Sequence, residues 1–99
     1  MGNSIFYLPK AQLELEESLE FYDEKAIGLG VRFEIQLKEK LLSITKSPES
    51  YRKRKGDFRE TVVKGFPYLI IYKYYKTKKI VLIASIFHTS RNPKYKYRK

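Results

Sequence analysis

Two spacings of apolar residues divide this chain. Asn3 to Leu8 (NSIFYL) is a short apolar segment with branched and aromatic residues, which predicts a strand. Pro9 ends its ladder and suits the first turn of a helix, where a missing N–H is no loss. From Lys10 to Ile27 the apolar positions Ala11, Leu15, Leu19, Tyr22 and Ala26 follow helical spacing and form one narrow stripe. Glu14, Glu16, Glu17, Glu20, Asp23 and Glu24 take much of the remaining surface. Leu13 and Phe21 fall off the stripe, as ordinary flank residues or as contacts for a partner chain. Gly28-Leu29-Gly30 predicts a tight reversal, and a second helix follows from Val31 to Lys46, stopped by Ser47-Pro48. That helix carries two apolar stripes, Phe33/Leu37/Leu41/Ile44 and Val31/Ile35/Leu42, and so asks for two neighbours. The first helix supplies one, and the sheet or a bound partner the other.

Beyond Pro48 the spacing shortens to that of strands. Tyr51 to Lys55 (YRKRK) is a basic run that reads as an edge strand or a loop, and edge cations also deter sheet-to-sheet aggregation. Gly56-Asp57 marks a turn before Phe58 to Lys64 (FRETVVK), with Arg59, Thr61 and Val63 on one face. Two richly apolar runs, PYLIIYKYY and KIVLIASIF, are joined by Lys76-Thr77-Lys78-Lys79 and predict a central hairpin on which Tyr68, Tyr72 and Tyr74 share a face. The resulting expectation is an α+β, two-layer fold. An N-terminal strand and an antiparallel helical hairpin pack on a three- to five-stranded antiparallel sheet, in a single domain over residues 1–99.

Charge changes the picture through its distribution. The net charge is +10 at pH 7. Residues 1–50 hold six Lys/Arg against nine Asp/Glu, a net of −3, whereas residues 51–99 hold fifteen against two, a net of +13. A basic half of this kind attracts polyanions or an acidic protein partner. The plainer reading is a soluble, lysine-rich surface. With no cysteine and one histidine, disulfides and thiolate metal sites are unavailable, and no metal or cofactor is implied. The longest apolar run, Ile80 to Phe87, is too short to span a bilayer, and the opening MGNSIFYLPK lacks the order of a secretory signal, so a cytoplasmic protein with no membrane partner is expected.

Candidate chemistry gathers at the end of the hairpin. His88 is the one side chain suited to proton transfer near neutral pH, although a histidine at a strand end is commonly a structural hydrogen-bonder. Arg91, three residues on, suits a phosphate or an acidic partner, and Arg59 shares a face with Thr61 and Val63. Arg52 and Arg54 add further candidate binding cations. Tyr95 and Tyr97, set between basic residues in KYKYRK, stack on bases or cover the core. A histidine, arginines and lysines suffice chemically to cleave RNA without a metal, but the same groups occur on any basic surface.

The residues Ala11…Glu17…Phe21-Tyr22, Leu29-Gly30…Phe33, Leu42…Ser47-Pro48, Phe58-Arg59, Phe66-Pro67-Tyr68…Tyr72 and His88-Thr89-Ser90-Arg91-Asn92-Pro93 together resemble the RelE/ParE toxin superfamily of bacterial type II, plasmid-stabilising toxin–antitoxin systems. The resemblance runs from about Ile5 to Pro93. It implies a helical hairpin on an antiparallel sheet, and a toxin held in a hetero-oligomer by an acidic antitoxin that folds as it binds. ParE-like members poison DNA gyrase; RelE-like members cleave mRNA, usually on the ribosome. RelE-like nucleases carry a Tyr-Arg-Leu-Val-Tyr strand motif whose Arg is a principal catalytic cation. Here the stretch is Tyr68-Leu69-Ile70-Ile71-Tyr72, with Leu69 in that place. Arg91 and Tyr95 match basic and tyrosine positions of the nuclease site, Thr89 replaces another arginine, and His88 and Arg59 are candidates to compensate. The helices, the reversal and Phe66-Pro67-Tyr68 favour the ParE-like branch. A non-toxic basic binding module of the same fold is the remaining alternative.

Overall fold

The computed structural model describes residues 2–97; Met1 and the end of the basic tail, Arg98 and Lys99, lie outside the described residues. Strand β1 (Ser4–Tyr7) leads into α1 (Pro9–Lys25), which starts on proline as its sequence requires. Between the helices Gly28 takes the left-handed conformation, with φ at 81°, and α2 (Leu29–Lys46) begins at the next residue. The reversal is therefore Ala26, Ile27 and Gly28, shifted two residues towards the N-terminus from the Gly28-Leu29-Gly30 unit expected. Gly30 already lies inside α2 against α1, where a Cβ would collide with the Asp23 carboxylate and press on the Leu19 carbonyl. Then follow β2 (Lys53–Lys55), β3 (Phe58–Val62), β4 (Tyr68–Tyr75), β5 (Ile80–His88) and a 3₁₀ turn, Pro93–Tyr95.

These strands form one sheet in the order β1-β5-β4-β3-β2. The N-terminal strand is a member of this sheet, and it runs parallel to β5, from Ser4 beside Ile80 to Tyr7 beside Ile83. The expected antiparallel sheet is β2 to β5, and β1 adds a parallel edge strand to it. The long crossover that a parallel pair needs is supplied by everything between β1 and β5. All other pairings are antiparallel.

One face of the sheet carries the helices. Phe33, Leu37, Leu41 and Ile44 of α2 are buried there with Ala11 and Tyr22 of α1 and Tyr68, Ile70, Tyr72, Val81, Ile83 and Ile86 of the hairpin. Tyr22, Phe33, Phe66 and Tyr68 interlock, with neighbouring ring centroids 5.1 to 6.1 Å apart. The opposite face has its own smaller cluster of Ile71, Ala84 and Phe87, packed with Leu8, Phe58, Leu69, Tyr95 and Tyr97. The buried line of α1 runs through Ala11, Glu14, Ser18 and Tyr22, while Leu15 and Leu19 are half-buried and Ala26 is exposed. A carboxylate therefore occupies a place the apolar stripe assigned to leucine. The second stripe of α2, Val31, Ile35 and Leu42, remains about half exposed.

Candidate functional site

A break in the β4–β5 ladder sets the geometry of the sheet's rim. Partners step from Ile71–Ser85 to Tyr72–Ile83, which leaves Ala84 as an extra residue in β5. The insertion shifts the alternation of side chains, so that Val81, Ile83 and Ile86 all join the helix-facing core and His88 lies opposite Tyr68. The His88 ring meets Tyr68 edge-on, with centroids 4.9 Å apart. His88 Nδ1 accepts from the Ser90 backbone N–H at 3.0 Å and lies 2.7 Å from Ser90 Oγ. An Nδ1 that accepts from an amide carries no proton of its own, so in the neutral ring the hydrogen sits on Nε2.

Beneath this turn lies the feature that the helical stripe concealed. Glu14 is buried, and its Oε1 accepts from Ser85 Oγ at 2.7 Å and from the Ile86 backbone N–H at 3.0 Å. Its other oxygen, Oε2, takes the Arg91 guanidinium at 2.6 Å. One carboxylate thus holds the bulged strand and the following basic turn against α1. The guanidinium carbon of Arg91 also lies 5.4 Å from the Phe87 ring and 5.9 Å from the Tyr95 ring. Glu14, Glu17, Phe21, Tyr68, His88 and Arg91 line a cleft of about 290 Å³ at this rim.

Of the residues singled out from sequence, the fold therefore brings His88 and Arg91 together, with Tyr95 beside Arg91 on the outer face of the sheet. Arg59 lies elsewhere. It pairs with Tyr72, four residues along β4 from the partner of His88, or about 13 Å of strand. Its Nη1 donates to the carbonyls of Tyr51 at 2.6 Å and Glu49 at 3.2 Å, anchoring the connection from α2 to β2. The Tyr72 hydroxyl donates to the Pro48 carbonyl at 2.7 Å in the same place, and burial pushes its pKa well above the ordinary phenol value. Arg52 and Arg54 are exposed at the β2 edge. The Tyr95 carbonyl accepts from Lys10 Nζ at 2.6 Å.

On the outer face, Leu69, like Tyr95 and Tyr97, packs against the smaller cluster of Ile71, Ala84 and Phe87. Tyr97 Oη bonds the Glu60 carboxylate, whose other oxygen lies 3.3 Å from Lys96 Nζ. Burial, then the bond to Glu60 and its charge, push the Tyr97 phenol up to about 12. Lys55 and Lys73 lie over the Tyr97 and Phe58 rings at 5.3 and 4.5 Å. The position matching the nuclease arginine is thus part of an apolar layer edged by lysines.

Residues 5–93 match the family described as ParE toxin of type II toxin-antitoxin system, parDE. The chain belongs to this ParE toxin family. No curated protein matches it in sequence. In structure this ParE-family chain is similar to the chromosomal ParDE system of P. aeruginosa, at 15% identity and a TM-score of 0.71, over 89% of this chain and 97% of that one. It is also similar to a free-state mutant of the E. coli toxin RelE (21% identity, TM-score 0.71, covering 98% and 94%) and to the intact E. coli RelBE toxin–antitoxin complex (23%, 0.66, covering 90% and 99%). These likenesses show the shared RelE/ParE fold. Glu14 is the site residue that sequence reasoning passed over. Its spacing of three from Ala11, four to Ser18 and eight to Tyr22 places it on the buried line, and that was the available signal.

Proposed function

We propose that this ParE-family chain is the toxin of a type II toxin–antitoxin pair, that it acts in the cytoplasm by binding DNA gyrase, and that an acidic antitoxin neutralises it in a hetero-oligomer. The observation that carries the gyrase reading is Leu69. Where RelE-like nucleases place a catalytic arginine, this chain has a leucine packed against the apolar cluster of Ile71, Ala84 and Phe87 on the outer face of the sheet. The state of His88 supports the same reading. A general base needs an unprotonated nitrogen facing its substrate, whereas here Nδ1 is engaged by Ser90 and Nε2 bears the hydrogen. Arg91 is held by Glu14 and Arg59 by two carbonyls, which are positioning roles. The exposed Arg52 and Arg54 are among the cations available to a macromolecular target, and Arg91, though held by Glu14, keeps part of its surface at the rim. An antitoxin partner is supported by family membership and by solved relatives described as ParDE and RelBE systems.

The purified chain is expected to inhibit gyrase supercoiling while leaving cell-free translation running. Inhibited translation with new mRNA ends mapped by primer extension, and gyrase unaffected, would replace this reading with RNA cleavage.

A further inference from the structure

The cleft between α1 and the end of the β4–β5 hairpin holds polar groups that the fold itself leaves unused. Tyr68 is 8% exposed, yet its hydroxyl makes no hydrogen bond among the described residues. No side-chain nitrogen or oxygen sealed from solvent lacks a partner among those residues, so this hydroxyl opens on the cleft that Tyr68 lines. Burial raises its pKa above the ordinary phenol value, and Tyr22 and the charges of Glu14 and Glu17 raise it further, which sets both carboxylates about the same hydroxyl. Glu17, exposed and also lining the cleft, makes no ion pair or hydrogen bond among the described residues. Glu14, in contrast, already holds Arg91. The lining thus sets two carboxylates against one guanidinium, in a chain whose net charge is +10. Phe21, 46% exposed, adds an aromatic ring that already draws Lys25 Nζ to 5.2 Å from its centroid.

A buried phenol oxygen without a partner, an unpaired carboxylate and an open aromatic ring are groups that recognise a cation on an aliphatic stem. We infer that this cleft binds a guanidinium or primary ammonium group, its N–H groups donating to the Glu17 carboxylate and to Tyr68 Oη and its stem lying along Phe21. An anion is disfavoured, because Arg91 is taken by Glu14 while the charge of Glu17 is free. The arginine side chain of a polypeptide and a free polyamine both carry the chemistry required. A planar guanidinium offers two parallel N–H groups to one carboxylate, a geometry that an ammonium does not match. Nothing in this cleft depends on which macromolecule the chain inhibits.

The test is heteronuclear NMR titration of the isotope-labelled full-length chain. The probes are the blocked peptide acetyl-Gly-Arg-Gly-amide, its neutral isostere with citrulline in place of arginine, and spermidine. The arginine peptide is expected to shift the amide signals of Glu17, Phe21, His88 and Ser90 saturably in the millimolar range, and the citrulline peptide to bind at least about 10-fold more weakly. Glu17→Gln and Tyr68→Phe are each expected to weaken the arginine peptide about 5-fold or more. Glu24→Gln removes the same charge further along α1, outside the cleft, and is expected to cost less than about 2-fold. Because the Tyr68 hydroxyl bonds nothing within the chain, Tyr68→Phe should melt at or above the wild-type temperature, which separates lost binding from lost folding. Tighter binding of spermidine than of the arginine peptide assigns the site to free polyamines, and the reverse order assigns it to a polypeptide side chain; both support it. No saturable shift with either cation, equal binding of the citrulline peptide, or an equal loss in Glu24→Gln overturns the cation site. So does a Tyr68→Phe variant that melts well below the wild type, since the hydroxyl would then already be engaged.

Discussion

Glu14 and Arg91, 77 residues apart in the chain, meet at 2.6 Å at the rim of the sheet, and the two sides of the pair are unequally buried. The Glu14 side chain is 9% exposed and also serves Ser85 and Ile86; that of Arg91 is 43% exposed. Removing the acid leaves two buried donors without their acceptor, whereas removing the arginine leaves the acid with two of its three bonds. Glu14→Ala is therefore expected to cost about 3 kcal/mol and Arg91→Ala about 1 kcal/mol, the latter reduced by solvent screening. Urea denaturation of both variants measures the order. Arg91→Ala costing more than Glu14→Ala would contradict it.

Arg59 and Tyr72 hold one segment from two directions. Arg59 donates to the Glu49 and Tyr51 carbonyls, Tyr72 to that of Pro48. Arg59→Ala is expected to cost about 2 kcal/mol and Tyr72→Phe about 1 kcal/mol. Because both act on the same connection, the double variant should lose less than the sum. Strict additivity in thermal melts would mean that the two anchors work independently.

His88 is read as the hydrogen-bonding post of the turn that carries Ser90 and Arg91, so growth arrest should survive its loss. Induction of His88→Ala is expected to stop growth as the wild-type chain does. Abolished arrest in a variant with an unchanged melting temperature would return proton transfer to the mechanism.

Alkaline stability should depend on Tyr97. Its pKa is raised from the ordinary 10 to about 12, so the folded chain favours the neutral phenol. The corresponding stabilisation is complete below pH 10 and is lost as pH rises through about 12. Tyr97→Phe removes the ionisable group, and its melting temperature should fall less steeply over that interval than that of the wild type. Parallel curves would show that Tyr97 ionises alike in the folded and unfolded chain.

Steering by the basic half should dominate encounter with an acidic antitoxin. Residues 51–99 carry +13, spread over β2, the strand connections and the C-terminal turn. The association rate with the neighbouring gene's product should fall by about 10-fold or more between low and high salt, with dissociation changing far less. Stopped-flow traces that superimpose across salt concentrations would remove steering from the account.

Much of this was legible in the residues themselves. Helical and strand spacings identify α1, α2 and the β4–β5 hairpin because each element buries one face, and that face shows as a period. Pro9, Gly28 and Ser47-Pro48 mark the helix ends because backbone torsion and the missing proline N–H are local constraints. The likeness to RelE/ParE toxins, and the replacement of the nuclease arginine by Leu69, needed only residue order.

Partnership across the chain was decided by tertiary structure. Spacing puts Glu14 on the buried line of α1 but not its partners, which the bulge at Ala84 supplies by setting Ser85 and Ile86 beneath it, and periodicity carries no sign of an inserted residue in a strand. Arg59 and His88 read as one cationic constellation, yet their partners on β4 lie four residues apart. The two stripes of α2 look alike in sequence, and only packing buries Phe33, Leu37, Leu41 and Ile44 while leaving Val31, Ile35 and Leu42 to solvent. A residue's type and spacing are local properties. Whether its charge is paired or its apolar surface covered depends on which distant segment the fold sets against it.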